Sequence, residues 1–342
     1  MKKLLLFNVL LIVVNATYAQ EEENKVNPVQ LSLAYPIGTA GVNSIDYSNR
    51  LSLNMIYGVN GGVEGLEMGG VANINKGNVN GVQLSGAINA NSGNADGVLA
   101  SGFANVTLMT VKGVQLAGTA NYSGNTEGLM MSGSVNWSKA LDGFQLSGAM
   151  NVAEDVDGGQ VSGLLNIAKT VKGVQIAPLL NIADTSDYSI ALINLVKSGE
   201  KGISVTVDET NTLMLSFRSG GRVTYGIIGA GYQVDGEDGQ FAVEAGLGAV
   251  VYRGQILKLR TEAVSTTYAD WDKETYFRST FRVLPTFQLG AVELFGGPTL
   301  NFIYSEETSG PEQVDNYMWK HTDSNGFSGL YAGFLAGINY RF

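Results

Sequence analysis

A short phrase repeated at near-constant spacing limits this chain more than any other feature. Glycine recurs at Gly65, Gly81, Gly97, Gly113, Gly128, Gly143, Gly158 and Gly173, at intervals of sixteen residues three times and then fifteen four times. Eight residues after each comes an asparagine: Asn73, Asn89, Asn105, Asn121, Asn136, Asn151, Asn166 and Asn181. Self-similarity at so short a period is the mark of stacked architectures. Fifteen residues suffice for two strands of about five residues and two tight turns, one coil of a β-solenoid. Equivalent positions then stack about 4.8 Å apart, and amides suit such a ladder because each donates to one neighbour and accepts from the other. The eight asparagines, with Gln83, Gln115, Gln145, Gln160 and Gln175, are therefore read as structural.

The sixth position of the copies is glycine at Gly86, Gly102, Gly118, Gly133, Gly148 and Gly163 and proline at Pro178. Proline cannot donate to a strand ladder, so this position reads as a bend, which favours coils. The segment "GVQLSGAINA" nevertheless alternates without a break. The alternative is that the repeats are antiparallel strands of one large barrel of roughly eighteen strands. The phrase "GVQLSG..N.A", which covers residues 58–197, together with "SGEKGISVTVDE" and "SFRSGGRVTYG", resembles the surface-repeat proteins of bacterial envelopes. That resemblance implies an exported envelope protein and carries no activity with it.

Beyond residue 198 the pattern changes to strict alternation. In "GLYAGFLAGINYRF", Leu330, Ala332, Phe334, Ala336, Ile338, Tyr340 and Phe342 share one face of a strand, and Tyr331, Leu335, Asn339 and Arg341 share the other. A last strand ending on phenylalanine in this way resembles the closing strand of bacterial outer-membrane barrels, which the barrel assembly machinery reads. "QFAVEAGLGAVVY" and "TYFRSTFRVLPTFQL" alternate likewise, with Tyr252 expected on the polar face. About eight such strands are expected, with Tyr225, Tyr232, Tyr252, Tyr276 and Tyr304 near strand ends as in an aromatic girdle. Alternation alone cannot distinguish apolar faces turned inward, as in a soluble sandwich, from apolar faces turned outward to lipid. On the membrane reading Glu244, Lys258, Arg260, Glu262, Arg278, Arg282 and Arg341 line the interior. There they pair with one another to plug a narrow barrel, or else line a selective pore.

The first residues, "MKKLLLFNVLLIVVNATYAQ", read as a secretory signal peptide, too short to span a membrane. With no cysteine in the chain, disulfides, thiolate metal sites and a lipidated N-terminal cysteine are excluded. The single histidine, His321 in "MWKHTDSNGFSG", reads as a solvated loop residue and cannot complete a zinc site alone. Asp96, Asp142 and Asp157 share their repeat position with Lys112, Lys172 and Asn80, so no calcium-binding column forms. "DGEDG" at 235–239 and "EEEN" at 21–24 are explained by a turn and a terminus. A net charge of −10 without a basic stripe argues against nucleic acid.

The expected organisation is all-β: signal peptide 1–19, N-terminal strands 20–57, tandem β-repeats 58–197 and an antiparallel membrane-type barrel 198–342. No cofactor, metal or catalytic set is expected. The expected role is non-enzymatic, at the bacterial outer membrane or cell surface, a structural or binding platform anchored by the barrel, with lipid and the assembly machinery as partners and 303–326 as the main outward loop. A porin-like channel is the alternative. An envelope hydrolase would depend on His321 as its only base.

Overall fold

The computed structural model describes residues 25–234, 240–269, 276–306, 314, 316–323 and 326–342. The segments read as a signal peptide, "EEEN" and "DGEDG" lie outside the described residues. Contacts divide the chain into two units, one ending at Ser147 and the other beginning at Gly148. The fold is all-β, a β-solenoid of about ten turns plus an antiparallel eight-stranded barrel.

In the first unit the coils pair parallel, each residue above its counterpart in the repeat. Gly65, Gly81, Gly97, Gly113, Gly128 and Gly143 stack in register, as do Asn73, Asn89, Asn105, Asn121 and Asn136. Parallel pairing at the repeat spacing eliminates the large antiparallel barrel. Residues ahead of the recognised repeat join the same stack, since strand Lys25–Ala34 runs parallel to Tyr47–Asn60. The periodic glycines are obligatory. Gly113 has φ +121°, and a Cβ there would lie 2.2 Å from the Gly97 carbonyl oxygen in the coil beneath, so both backbone conformation and coil spacing exclude a side chain. The sixth position lies between strands, as at Gly102 and Pro178, in agreement with the bend inferred from proline.

The second unit begins with further coils, in which Asn151, Asn166, Asn181 and Asn194 stack in register. It continues as the barrel strands Lys201–Asp208, Thr212–Gly220, Thr224–Gln233, Gln240–Arg253, Leu257–Ala269, Tyr276–Leu289, Val292–Ser305 and Gly326–Arg341. Each pairs antiparallel with the next. The first and last close the sheet, with Ile203 opposite Tyr340 and Val207 opposite Ala336. Closure removes the edges that an open sheet would expose. At one end the strands are joined through the short connections 221–223, 254–256 and 290–291; at the other one pair is joined through 209–211, and the sequence leaves longer intervals, 234–239, 270–275 and 306–325, between the remaining strands.

Two local expectations are corrected. The ladder shifts between Val250 and Tyr252, a bulge that re-aims the next side chain, so Tyr252 faces outward beside Val251. His321 lies in the strand Trp319–Asp323, paired with Gly326–Leu330. Part of 303–326 is therefore a β-ribbon rather than a loop.

Candidate functional site

The barrel encloses its charges, together with apolar clusters such as Leu284, Phe295 and Leu335, and presents an apolar outer wall. Phe241, Phe281, Phe302, Phe334 and Ile338 are exposed, whereas Glu244, Lys258, Glu262, Arg282 and Glu293 are at most 2% exposed. The alternation seen in the sequence thus has its direction: the buried charges of the strands lie in the lumen. Of the tyrosines expected in a girdle, Tyr232, Tyr252 and Tyr304 face outward, but Tyr225 and Tyr276 point inward and are buried. Their hydroxyls find lumen partners, Glu262 at 2.9 Å and Gln233 at 3.1 Å, and a buried phenol needs such a partner.

The lumen charges form three layers. Near the short-connection end, Glu293 accepts from Lys258 at 2.9 Å, from Arg260, and from Asn339 at 2.9 Å. Glu200 takes the other side of Lys258 at 2.8 Å, together with Arg253. Arg341 stands at this rim, 3.4 Å from Glu200 and 3.6 Å from Glu293. Burial pushes the Glu200 carboxyl up, but Lys258 and Arg253 beside it outweigh that and hold it below its ordinary range. In the middle, Glu262 accepts from Arg218 at 3.0 and 3.2 Å and from Arg282 at 3.4 Å. Arg282 also reaches Glu244 at 2.8 Å. Near the far end Arg278 pairs with Asp208 and lies over the Tyr268 ring, 5.0 Å from its centroid. Tyr268 and Tyr276 stack there at 4.4 Å.

The seven residues named from the sequence thus lie in one lumen, but they are not a self-contained network. The named cations outnumbered the named acids, and buried charge must be paired. Glu293, Asp208 and Glu200 make up the difference, and Arg218 is a further cation. Glu293 was detectable, as the acid on the inward phase of "AVELFGG". Glu200 was not, because it precedes the first barrel strand. A cavity lined by Glu200, Arg218, Tyr225, Arg260, Asn339 and Arg341 holds about 20 Å³. That is room for about one water molecule.

The asparagine ladder forms as amide-to-amide bonds. Asn73 donates to Asn89 at 3.0 Å, Asn89 to Asn105 at 2.9 Å, Asn105 to Asn121 at 2.9 Å and Asn121 to Asn136 at 3.0 Å. In the second unit Asn151 donates to Asn166 and Asn166 to Asn181, both at 3.0 Å. Each amide nitrogen also clasps a main-chain carbonyl, as Asn121 does Met131 O at 2.7 Å. The glutamines behave differently. Gln175 donates to Gln160 at 2.8 Å, but Gln83 pairs reciprocally with Asn91 of its own coil at 2.8 and 3.2 Å. Leu99 and Met130 occupy the same column, so no continuous glutamine ladder forms.

In that column, between Ser52 and Gln83, stands Glu67, fully buried. It accepts from Asn60 at 2.6 Å and Asn54 at 3.2 Å on one oxygen, and from Asn75 at 2.7 Å and Gln83 at 3.0 Å on the other. Burial raises its carboxyl above the ordinary range although all four amides act against this.

His321 stands 3.8 Å from Asp323, largely exposed, with Ser328 opposite it in register. The residue types of a hydrolytic triad thus fall on two neighbouring strands. The 3.8 Å separation is too long for the hydrogen bond that would orient the imidazole.

Compared with protein-family models, curated proteins and solved structures, the chain matches none.

Proposed function

We propose that this chain is a non-enzymatic protein of the bacterial outer membrane, anchored by its barrel and carrying the solenoid as a rigid platform for contacts or envelope structure. The observation that carries the reading is the inverted polarity of the barrel, with phenylalanines outside and ion pairs inside. In water such a distribution leaves the apolar outer wall exposed and buries charge as well; in a bilayer the wall meets hydrocarbon. Strands of eight to sixteen residues match the roughly nine to eleven that a tilted crossing needs. Short connections at one end and longer ones at the other follow the usual inner and outer ends of such barrels. The basic, then apolar, first residues read as an export signal and agree with this location.

The layered ion pairs and the single-water cavity favour a plugged barrel over a channel. In planar bilayers the purified protein should insert without discrete conductance steps, and steps of fixed size would establish the porin-like alternative. Recovery of the protein from cells in the soluble fraction, without heat-modifiable gel mobility, would defeat the membrane reading altogether.

A further inference from the structure

The solenoid shares the barrel's inverted polarity. Its interior combines the amide ladder with a buried apolar cluster, Val63, Val79, Ala95, Leu99 and Val111 in the first unit; its outward columns and its glycine bend are apolar as well. In the second unit Leu164, Ile176, Leu179, Tyr188 and Leu195 are all exposed. Charge is confined to the opposite edge, where Asp157 lies beside Lys172 and Lys169 pairs with Glu154. The first unit repeats the division: Val71, Phe103 and Phe144 are exposed on the apolar side, and Lys112 pairs with Glu127 on the charged edge. Contiguous apolar columns of this kind mark a surface with a partner.

The way the last coil meets the barrel indicates that partner. Next to the inward-facing Arg218 on the same strand, Ser219 faces the outer wall, and it is fully buried. Asn194 covers it, donating its main-chain N–H to Ser219 Oγ at 3.0 Å and its side-chain amide to Ser219 O at 3.2 Å. On the next strand the coil runs alongside the wall. Val223 N donates to Asp187 O at 3.0 Å, Thr224 Oγ1 donates to Ser189 O at 3.0 Å, and the Leu192 carbonyl would lie 2.1 Å from a Cβ at Gly226. The charged edge of the coil, where Asp187 pairs with Arg222 at 3.0 Å, is thus level with the short-connection rim. The apolar bend lies further along the wall, in the direction the barrel strand takes away from that rim.

We infer that the coils of the second unit lie within one leaflet of the bilayer beside the barrel, their glycine bends toward the midplane and their charged edges among the head groups. This rests on the membrane reading of the barrel. From the periodic glycine to the bend is five residues, about 17 Å of strand, against about 15 Å of hydrocarbon in one leaflet. Coil-to-coil pairing satisfies the main chain of these strands, as hydrocarbon demands. The partner of the apolar faces is lipid acyl chain, and the rim with short connections makes it the inner leaflet.

The chain has no cysteine, so single labels are unambiguous. Leu164→Cys and Leu179→Cys at bends, Asp157→Cys on the charged edge and Phe281→Cys on the barrel wall would each carry a nitroxide. The full-length protein would be reconstituted in phosphatidylethanolamine–phosphatidylglycerol vesicles. Collision with oxygen, which concentrates in hydrocarbon, is compared with collision with a water-soluble nickel chelate. Labels at 164, 179 and 281 should favour oxygen, and the label at 157 nickel, each by at least several-fold. Nickel access at 164 and 179 with oxygen preference at 281 would overturn the inference and leave the barrel anchored. Nickel access at all sites would overturn both. Protection from both probes at 164 and 179, with spin–spin broadening that grows with protein density, would overturn it in favour of a second copy on these faces.

Discussion

Arg218 and Glu262 meet edge to edge inside the barrel, Nε and Nη2 lying 3.0 and 3.2 Å from the two carboxylate oxygens. The pair lies on different strands, so the contact ties strand register to charge complementarity. Glu262 is also the acid that Arg282 shares with Glu244.

Replacing Glu262 with glutamine leaves guanidinium groups buried without their counter-charge. Breaking a buried pair from one side costs about 3–5 kcal/mol. E262Q should therefore unfold at markedly lower temperature in detergent, read by the loss of heat-modifiable mobility. The double variant Arg218→Met with Glu262→Met, which removes both charges, should recover a large part of that loss.

Glu293 serves Lys258, Arg260 and Asn339 together. E293Q should destabilise by a similar amount, about 3–5 kcal/mol. Its measurable signature lies in bilayers: repulsion between the freed cations loosens the short-connection end, and transient anion-selective current should appear where the native protein shows none. A silent E293Q that also keeps native stability would contradict the plug.

Asn121 donates to Asn136 and to Met131 O and accepts from Asn105. Asn121→Ala orphans a buried group on each side, at about 1–3 kcal/mol each. Cutting the column should lower the unfolding midpoint and raise amide exchange in the flanking coils, measured by hydrogen–deuterium exchange.

Glu67 sets a pH dependence. Its folded pKa is raised, first by burial, against the amides of Asn75, Gln83, Asn60 and Asn54. The folded state therefore holds this proton more tightly than the unfolded chain, and stability declines as pH rises from the ordinary carboxylate range toward the raised value. Each unit of raising corresponds to about 1.4 kcal/mol. E67Q removes this slope, because a glutamine there can pair with Asn75 as Gln83 does with Asn91. Melting of both proteins across about pH 4 to pH 8 should show E67Q gaining relative to the native chain as pH rises; a constant difference refutes this assignment.

His321→Ala should leave any esterase activity of the purified protein unchanged, since the imidazole is exposed and 3.8 Å from Asp323. A loss of activity on this single substitution would reopen the hydrolase reading.

By itself the sequence determined the coil repeat, the asparagine column and the two unlike faces of the later strands, because each is a periodicity and period translates directly into geometry. The bend at Gly102 and Pro178 was legible for the same reason, through proline's missing donor. The tertiary structure alone decided which face turns inward, since alternation is the same for a sandwich and a barrel. It alone supplied Glu200 as the partner of Lys258 at 2.8 Å, a contact across 58 residues that no local pattern marks. It also placed Glu67 among four amides and turned Tyr225 into the lumen. Closing a sheet brings distant strand ends together, and only that closure sets which buried charges meet.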